Sequence, residues 1–138
     1  MAHHGAEIEV ATRGAGLYEI TGQVDAVVAA SGVDSGVCCL TVLHTSCSLL
    51  CQENADPTVQ ADLDRFFRRL VPEGDPLFRH TLEGPDDMPA HVKAALTATC
   101  LTLPVRRGRL ALGTWQGLFL FEHRRRPHRR RVAVDLLA

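Results

Sequence analysis

The stretch "GVCCLTVLHTSCSLLCQ", residues 36–52, decides the fold, because its composition indicates strands at the centre of the protein. Residues 36–44 carry apolar side chains at adjacent positions, which predicts a buried central strand with apolar residues on both faces. The following segment, "CSLLCQ" at residues 47–52, predicts either a second strand or a continuation of the first. The rest of the chain is therefore expected to pack around a sheet.

The segments upstream of this stretch predict two strands and a helix. "EIEVAT" at residues 7–12 alternates apolar and polar side chains, as a half-buried strand does. After a glycine-rich turn, "LYEIT" at residues 17–21 predicts a second strand. "TGQVDAVVAASG" at residues 21–32 has helical spacing, with Thr21 as the predicted N-cap and Gly32 as the predicted stop.

The segment downstream predicts an amphipathic helix over residues 56–72. Asp56 is a favourable N-cap, Pro57 suits the first helical position, and Pro72 ends the helix. The predicted apolar stripe of this helix consists of Val59, Leu63, Phe66, Phe67 and Leu70. A further helix is predicted over residues 88–98, "MPAHVKAALTA".

The C-terminal part of the chain predicts strands separated by turns. These strands are residues 100–105, 108–116, 117–123 and 130–137. Strands in neighbouring positions together with two or three helices predict an α+β fold, built on antiparallel sheets. Residues 72–88 form a long polar loop, and loops of that length in a compact domain are often functional.

Length and composition indicate one soluble, cytoplasmic domain over residues 1–138. Hydrophobic residues make up 46% and charged residues 22% of the chain, and no apolar run is long enough for a membrane span. The N-terminus lacks a signal-peptide pattern, and His3 and His4 are given no role. The five cysteines include no CxxC pair, so buried reduced thiols are expected instead of a zinc knuckle.

A basic run, "RRRPHRRR", occupies residues 124–131 and holds six of the 15 basic residues. Such a run is typical of nucleic-acid or polyanion binding. Pro127 in its middle and the flanking apolar strands favour a solvated hairpin turn instead. Because no aromatic residues are interleaved for base stacking, nucleic acid is not expected as a partner.

Two segments concentrate side chains that can carry chemistry. One is the opening stretch and its continuation, with His44, Thr45, Ser46, Glu53, Asn54 and Asp56; the other is "HTLEGPDDMPAH", with His80, Glu83, Asp86, Asp87 and His91. Imidazoles and carboxylates together can hold a divalent metal or act as acid and base. Each residue also has a structural interpretation: His44 as a strand-end hydrogen-bonding group, Asp56 as a helix cap, and His80 and His91 at a spacing unlike standard ligand pairs.

Two further features lie nearer the C-terminus. "GTWQG" at residues 113–117 contains the only tryptophan, so Thr114, Trp115 and Gln116 are candidates to bind a flat ligand, with a packed turn as the equal alternative. Glu122 ends the apolar strand "GLFLFE". A carboxylate there needs a partner if it is buried, and a histidine, an arginine or a metal would supply one.

The ordered blocks "HTS", "ENADP", "AHVKAAL", "LTLPV" and "GRLALGTWQGLFLFEHR" resemble the YjbQ family, also called the secondary thiamine-phosphate synthase family. The resemblance covers residues 36–135. It implies a small α+β fold with a β-sandwich-like core, a homotrimer, and a polar site near subunit interfaces. It also implies a divalent metal at the histidines, zinc or alternatively magnesium. Ser46, Cys47 and Ser48 after "HT", and the loop "EGPDD", depart from the commoner pattern.

The resemblance and the residues together suggest a small metabolic enzyme that acts on a phosphorylated small molecule. The expected catalytic residues are His44, Glu53, Asn54, Asp87 and Glu122. The expected substrate-binding residues are Thr45, Ser46, Thr114, Trp115 and Gln116. The expected metal ligands are His44, His80 and His91. The alternatives are a metal-dependent hydrolase of a phosphorylated metabolite and a non-catalytic trimer that binds a metal or small molecule.

Overall fold

A computed structural model describes residues 2–138 and contains three helices and eight strands. In chain order they are β1 (His3–Thr12), β2 (Gly16–Glu19), α1 (Thr21–Ser31), β3 (Ser35–Val42), β4 (Cys47–Glu53), α2 (Pro57–Leu70), α3 (Asp87–Leu96), β5 (Cys100–Arg106), β6 (Arg109–Leu110), β7 (Gln116–Glu122) and β8 (His128–Leu137). The predicted α+β class is confirmed. Among the described residues, no helix is both long and apolar enough to cross a membrane.

The strands form two antiparallel sheets that share one hydrophobic core. The five-stranded sheet has the order β1-β8-β3-β5-β6, and the three-stranded sheet has the order β2-β7-β4. Side chains from both sheets belong to the same buried cluster, for example Leu40 and Val134 from the first and Leu49 and Leu120 from the second. Burial of these apolar surfaces against each other is the main driving force of the fold.

The chain changes sheets within residues 36–52. It leaves β3 in the five-stranded sheet and re-enters as β4 in the three-stranded sheet, so "CSLLCQ" forms a second strand and does not continue the first. The prediction that β3 is buried on both faces is wrong for a single chain. Cys38, Leu40 and Val42 are buried, whereas Val37 on the other face is 39% exposed. The strand buried along almost its whole length is β7, which lies between β2 and β4.

The helix ends follow the predicted capping chemistry in two of three cases. The Asp56 carboxylate accepts a hydrogen bond from the backbone N–H of Thr58 at 2.9 Å, as the N-cap of α2. Gly32 ends α1 with a left-handed φ of 70°, a conformation that glycine adopts without a Cβ clash. The predicted Thr21 cap is wrong, because Ile20 is the N-cap and the Thr21 hydroxyl donates to the Glu19 carboxylate instead.

The apolar stripe of α2 is only partly covered by the chain. The Phe67 ring packs edge-on against Phe121 of β7, with their centroids 5.5 Å apart. Phe66 and Leu70 of the same stripe are 49% and 53% exposed, and no residue of α2 is fully buried. A large exposed apolar face of this kind is typical of an interaction surface.

Two turn predictions near the C-terminus are wrong in detail. The predicted strand over residues 108–116 is interrupted: Arg109–Leu110 forms β6 and Gln116 begins β7, because the chain turns where the Gln116 N–H donates to the Gly113 carbonyl. The basic run does not form a hairpin. Residues 123–127 connect β7 in one sheet to β8 in the other, and the second half of the run is the beginning of β8.

Candidate functional site

Asp87 is the centre of a polar cluster at the start of α3. Its side chain is almost completely buried, and its Oδ2 lies 2.7 Å from His80 Nε2 and 3.1 Å from His91 Nε2. Because His91 follows Asp87 by four residues, the two side chains share one face of the helix. His80 comes from the preceding loop, and both imidazoles are partly open to solvent. The structure thus brings three of the predicted site residues together.

The orientation of His91 indicates a place for a cation. Its Nδ1 lies 3.0 Å from the Thr45 carbonyl oxygen, so Nδ1 must carry a proton, because a carbonyl only accepts. In the neutral ring, the Nε2 lone pair then faces the Asp87 carboxylate, and two acceptors repel unless a second proton or a metal ion separates them. Metal-ligating histidines in proteins are held by backbone carbonyls in this way, so the donor set fits a divalent cation.

Arg124 completes the cluster and was not singled out by the sequence. Its Nη1 donates to Asp87 Oδ1 at 2.7 Å, and its Nε donates to Asp86 Oδ2 at 3.1 Å. Its Nη2 donates to the Glu83 carbonyl, which ties the polar loop to the end of β7. Burial raises the pKa of Asp87, but the hydrogen bond from His80 and the charges of His91 and Arg124 outweigh burial. The pKa of Asp87 is therefore held below its usual value.

His44 does not join the His80–Asp87–His91 cluster, because its side chain forms a hydrogen bond elsewhere. Its Nε2 accepts the backbone N–H of Arg131 at 2.8 Å, so the lone pair that a metal would use is already engaged. Burial lowers the pKa of His44, and the charges of Arg130 and Arg131 lower it further. Among residues 2–138, the ligand atoms that lie within 4.8 Å of one another belong to His80, Asp87 and His91, without His44.

Glu122 has the buried arginine partner that its position required. It is fully buried, and Arg130 donates to it through Nε at 2.8 Å and through Nη2 at 2.6 Å. The Thr12 hydroxyl adds a third bond at 2.7 Å, and Arg130 Nη2 also donates to the Ser46 hydroxyl. Burial raises the pKa of Glu122, but the bonds from Arg130 and Thr12 prevail and lower it. Glu122 and Ser46 thus belong to a buried ion-pair network.

The remaining predicted residues lie at the other end of the three-stranded sheet. In the β4–β7 ladder, Cys47 faces Glu122 at one end and Glu53 faces Gln116 at the other. Six residue steps of extended strand separate the two ends by about 20 Å. One chain therefore presents two separate polar patches, which the sequence alone had combined into one.

The second patch joins "ENAD" to "GTWQG". The Asn54 side-chain amide donates to Glu19 at 2.9 Å, and its backbone N–H donates to the Trp115 carbonyl at 3.0 Å. Gln116 accepts from the Gly113 N–H, which closes the turn that carries Thr114 and Trp115. Trp115 is 63% exposed, so it does not pack over this turn as a core residue would. An exposed indole beside polar groups is a surface on which a flat ligand can stack.

Most arginines of the basic run form salt bridges with carboxylates of this chain. Five of the six form salt bridges, and the partners include Asp86, Glu73, Glu9, Glu122 and Glu7. Nearby carboxylates of the same chain therefore balance part of the positive charge of the run.

A buried lysine and a buried histidine near the first patch were not predicted from the sequence. Lys93 is 8% exposed, and burial lowers its pKa. His123 is 3% exposed, and burial lowers its pKa to about 3, so its ring is neutral near pH 7. Lys93 is the only lysine in a chain rich in arginine, and that contrast was the one available signal in the sequence.

The fold and the site define a class: a small α+β protein with two antiparallel sheets and a histidine–aspartate–arginine cluster at the start of a helix. Comparison with known proteins identifies the family. The model described as UPF0047 protein YjbQ-like matches residues 6–138. This chain belongs to the YjbQ (UPF0047) family, as the ordered motifs predict.

Relatives and solved structures agree over nearly the whole chain. A UPF0047 protein of Synechocystis is 53% identical over 133 residues, which cover 96% of this chain and 90% of the relative. The YjbQ protein of Salmonella typhimurium is 44% identical over 88% of both chains. A conserved hypothetical protein of Thermus thermophilus superimposes with a TM-score of 0.86 at 42% identity, covering 96% of this chain and 99% of that one. A YbjQ-like protein of unknown function from Sulfolobus solfataricus also gives a TM-score of 0.86, at 25% identity, and covers 99% of each chain.

Proposed function

We propose that this protein is a small metabolic enzyme that binds a divalent metal ion through His80, Asp87 and His91 and acts on a phosphorylated small molecule. The observation that carries the proposal is the convergence of these three ligand atoms within 4.8 Å, with the proton of His91 held on Nδ1. Two nitrogens and one carboxylate suit zinc better than magnesium, which prefers an all-oxygen shell. The solvent-open side of the imidazoles leaves room for a substrate oxygen.

The residues of the cluster have distinct roles in this proposal. A bound divalent metal supplies Lewis-acid polarisation of a phosphoryl or carbonyl oxygen. Arg124 fixes the orientation of Asp87 through Oδ1, which keeps Oδ2 directed at the two imidazoles. The Thr45 carbonyl holds His91 in the tautomer that offers Nε2. Without a metal, His80 and His91 hydrogen-bonded to Asp87 can still exchange protons with a substrate.

The specific reaction that we propose is the one in the family's alternative name, a secondary thiamine-phosphate synthase activity. It joins a pyrimidine pyrophosphate to a thiazole phosphate and releases pyrophosphate. The cluster supports the phosphate chemistry, and the exposed Trp115 supports stacking on a ring. Metal-dependent hydrolysis of a phosphorylated metabolite uses the same residues. Non-catalytic metal or small-molecule binding is the third candidate.

A homotrimer would explain how two patches that lie far apart in one chain act together. We propose that the second patch of one subunit, which carries Trp115, approaches the His80–Asp87–His91 cluster of a neighbouring subunit. The exposed apolar face of α2 supports this proposal, because it could serve as the association surface. Mixing inactive His91→Ala subunits with inactive Trp115→Ala subunits would restore activity if one site draws on two chains. If each variant is inactive and the mixture stays inactive after subunit exchange, the shared-site proposal fails. We place this activity in the cytoplasm, where the free thiols would remain reduced.

Zinc titration of the metal-free protein by calorimetry tests the metal site. We expect His80→Ala and His91→Ala to weaken zinc binding at least tenfold, since each removes a ligand. His44→Ala is the matched control and should keep the affinity, because its Nε2 is engaged by the Arg131 backbone. Unchanged affinity in both ligand variants would refute the metal site. Pyrophosphate release that does not exceed the His91→Ala background would refute the synthase activity but leave the metal site intact.

A further inference from the structure

Lys93 is a largely buried cation without a direct salt-bridge partner among residues 2–138. It lies on α3, is 8% exposed, and takes part in none of the salt bridges formed by residues 2–138. The carboxylates of Asp64 and Asp86 attract its charge, but their salt bridges are to Arg68 and Arg124, and burial still lowers the pKa of Lys93. Burying an ammonium group without a direct partner is costly. A side chain in this state indicates that an anion belongs beside it.

A cavity of about 460 Å³ adjoins Lys93. Arg68 from α2 and Arg125 from the segment after β7 also line it, together with Glu73 and His123. Glu73 is already paired with Arg125, and Arg68 is paired with Asp64, so Lys93 forms no salt bridge with a carboxylate that lines the cavity. The volume lies in the range of small-molecule sites and exceeds that needed for a single ion.

His123 supplies an independent sign of a ligand. It is only 3% exposed, and it lines the same cavity. Its Nε2 lies 2.9 Å from the Ser48 hydroxyl, whereas its Nδ1 is a buried polar atom with no hydrogen-bond partner among residues 2–138. Buried polar atoms are nearly always satisfied, so an orphan indicates a missing partner. When Ser48 donates to Nε2, the Nδ1–H is free to donate to an anion.

We infer that this cavity is an anion-binding site for the phosphate group of a small phosphorylated molecule, held by Lys93 and His123 with Arg68 and Arg125 at the rim. The site is separate from the His80–Asp87–His91 cluster. Lys93 and His91 are two residues apart on α3, which places their side chains about 200° apart around the helix axis. The inference therefore does not rest on metal binding.

The test titrates metal-free protein with sodium phosphate and with glycerol phosphate, in the presence of EDTA. Binding is followed by calorimetry and by the side-chain ¹⁵N signals of histidine-labelled protein. We expect saturable 1:1 binding that shifts the signal of the protonated His123 Nδ1, because its N–H gains a hydrogen-bond acceptor. Lys93→Met should weaken binding at least tenfold, and Arg68→Gln should weaken it severalfold.

Two control variants distinguish phosphate binding in this cavity from binding elsewhere on the protein. Arg79→Ala and Arg106→Ala each remove one exposed positive charge outside the cavity, so both should bind phosphate like the wild type. The inference is overturned if binding does not saturate, or if either control weakens it as much as Lys93→Met. Normal phosphate binding with no zinc binding would refute the proposed metal site and uphold this one.

Discussion

Replacing Glu122 by glutamine tests whether this carboxylate holds the fold together. The substitution keeps the size of the side chain and removes its charge. It leaves the guanidinium of Arg130, whose side chain is only 5% exposed, buried without a counter-ion. Removing one partner of a buried ion pair costs about 3–5 kcal/mol of the free energy of unfolding. For a chain of this length, that cost corresponds to a fall in melting temperature of roughly 10–20 °C.

Urea unfolding followed by far-ultraviolet circular dichroism, at one fixed protein concentration and pH 7, measures this cost. Glu53→Gln is the matched control, since Glu53 is partly exposed and forms no salt bridge in the described residues; its effect should stay within about 0.5 kcal/mol. The double variant Glu122→Gln with Arg130→Met should recover much of the loss, because no unpaired charge remains. A loss below about 1 kcal/mol for Glu122→Gln, or no recovery in the double variant, would refute the structural role.

The pH dependence follows from the direction of the Glu122 pKa shift. The folded-state pKa lies below the usual value of 4.5, so the folded protein binds this proton less readily than the unfolded chain. The stabilisation is therefore complete above pH 4.5 and is lost as the pH falls through the folded-state pKa. The stability difference between wild type and Glu122→Gln should shrink on acidification; a difference that grows below pH 4.5 would contradict this assignment.

Three further predictions concern backbone, capping and buried histidine. Gly36→Ala should lower the free energy of unfolding by more than about 2 kcal/mol, because a Cβ would lie 2.2 Å from the Leu137 carbonyl oxygen. Gly22→Ala, in open space on α1, should raise it by up to about 1 kcal/mol. Equal urea midpoints for the two variants would contradict this prediction. Asp56→Ala should cost about 1 kcal/mol in the same assay, and no change would show that the cap is dispensable. Since the pKa of His123 is lowered to about 3, the stability of the wild type should fall as the pH drops below 6.5. The stability of His123→Leu should depend less steeply on pH in that range. An unchanged pH dependence in this variant would exclude His123 as the source of the effect.

Local patterns predicted much of the fold because they depend on neighbouring residues only. The alternation in residues 7–12 and the cap at Asp56 are local, and the structure confirms both. The Thr21 cap failed because its hydroxyl binds Glu19 and the Leu118 backbone, and Leu118 lies on another strand. The prediction that a strand continues after Leu110 was wrong for a related reason. The turn at Gly113, closed by the Gln116 side chain, competes with sheet pairing.

The sequence predicted which types of residue form the candidate site, but it did not predict which of these residues lie together. His80, Asp87 and His91 were each named from the sequence, and helical spacing links Asp87 to His91. The absence of His44 from this cluster depends on a hydrogen bond from Arg131, 87 residues away in the chain. Arg124 was overlooked because, in a run of arginines, composition does not show which one turns inward.

By itself, the sequence determined the α+β class, the family and the residue types of the candidate site, because hydrophobic periodicity, capping and motif order depend on the order of residues along the chain. Only the tertiary structure decided that β3 and β4 enter different sheets, that Glu122 pairs with Arg130, and that Trp115 lies far from His91. Those outcomes depend on which strands pair and which charges are buried together. Pairing and burial are set by the free energy of the whole fold, to which distant segments contribute as much as neighbours.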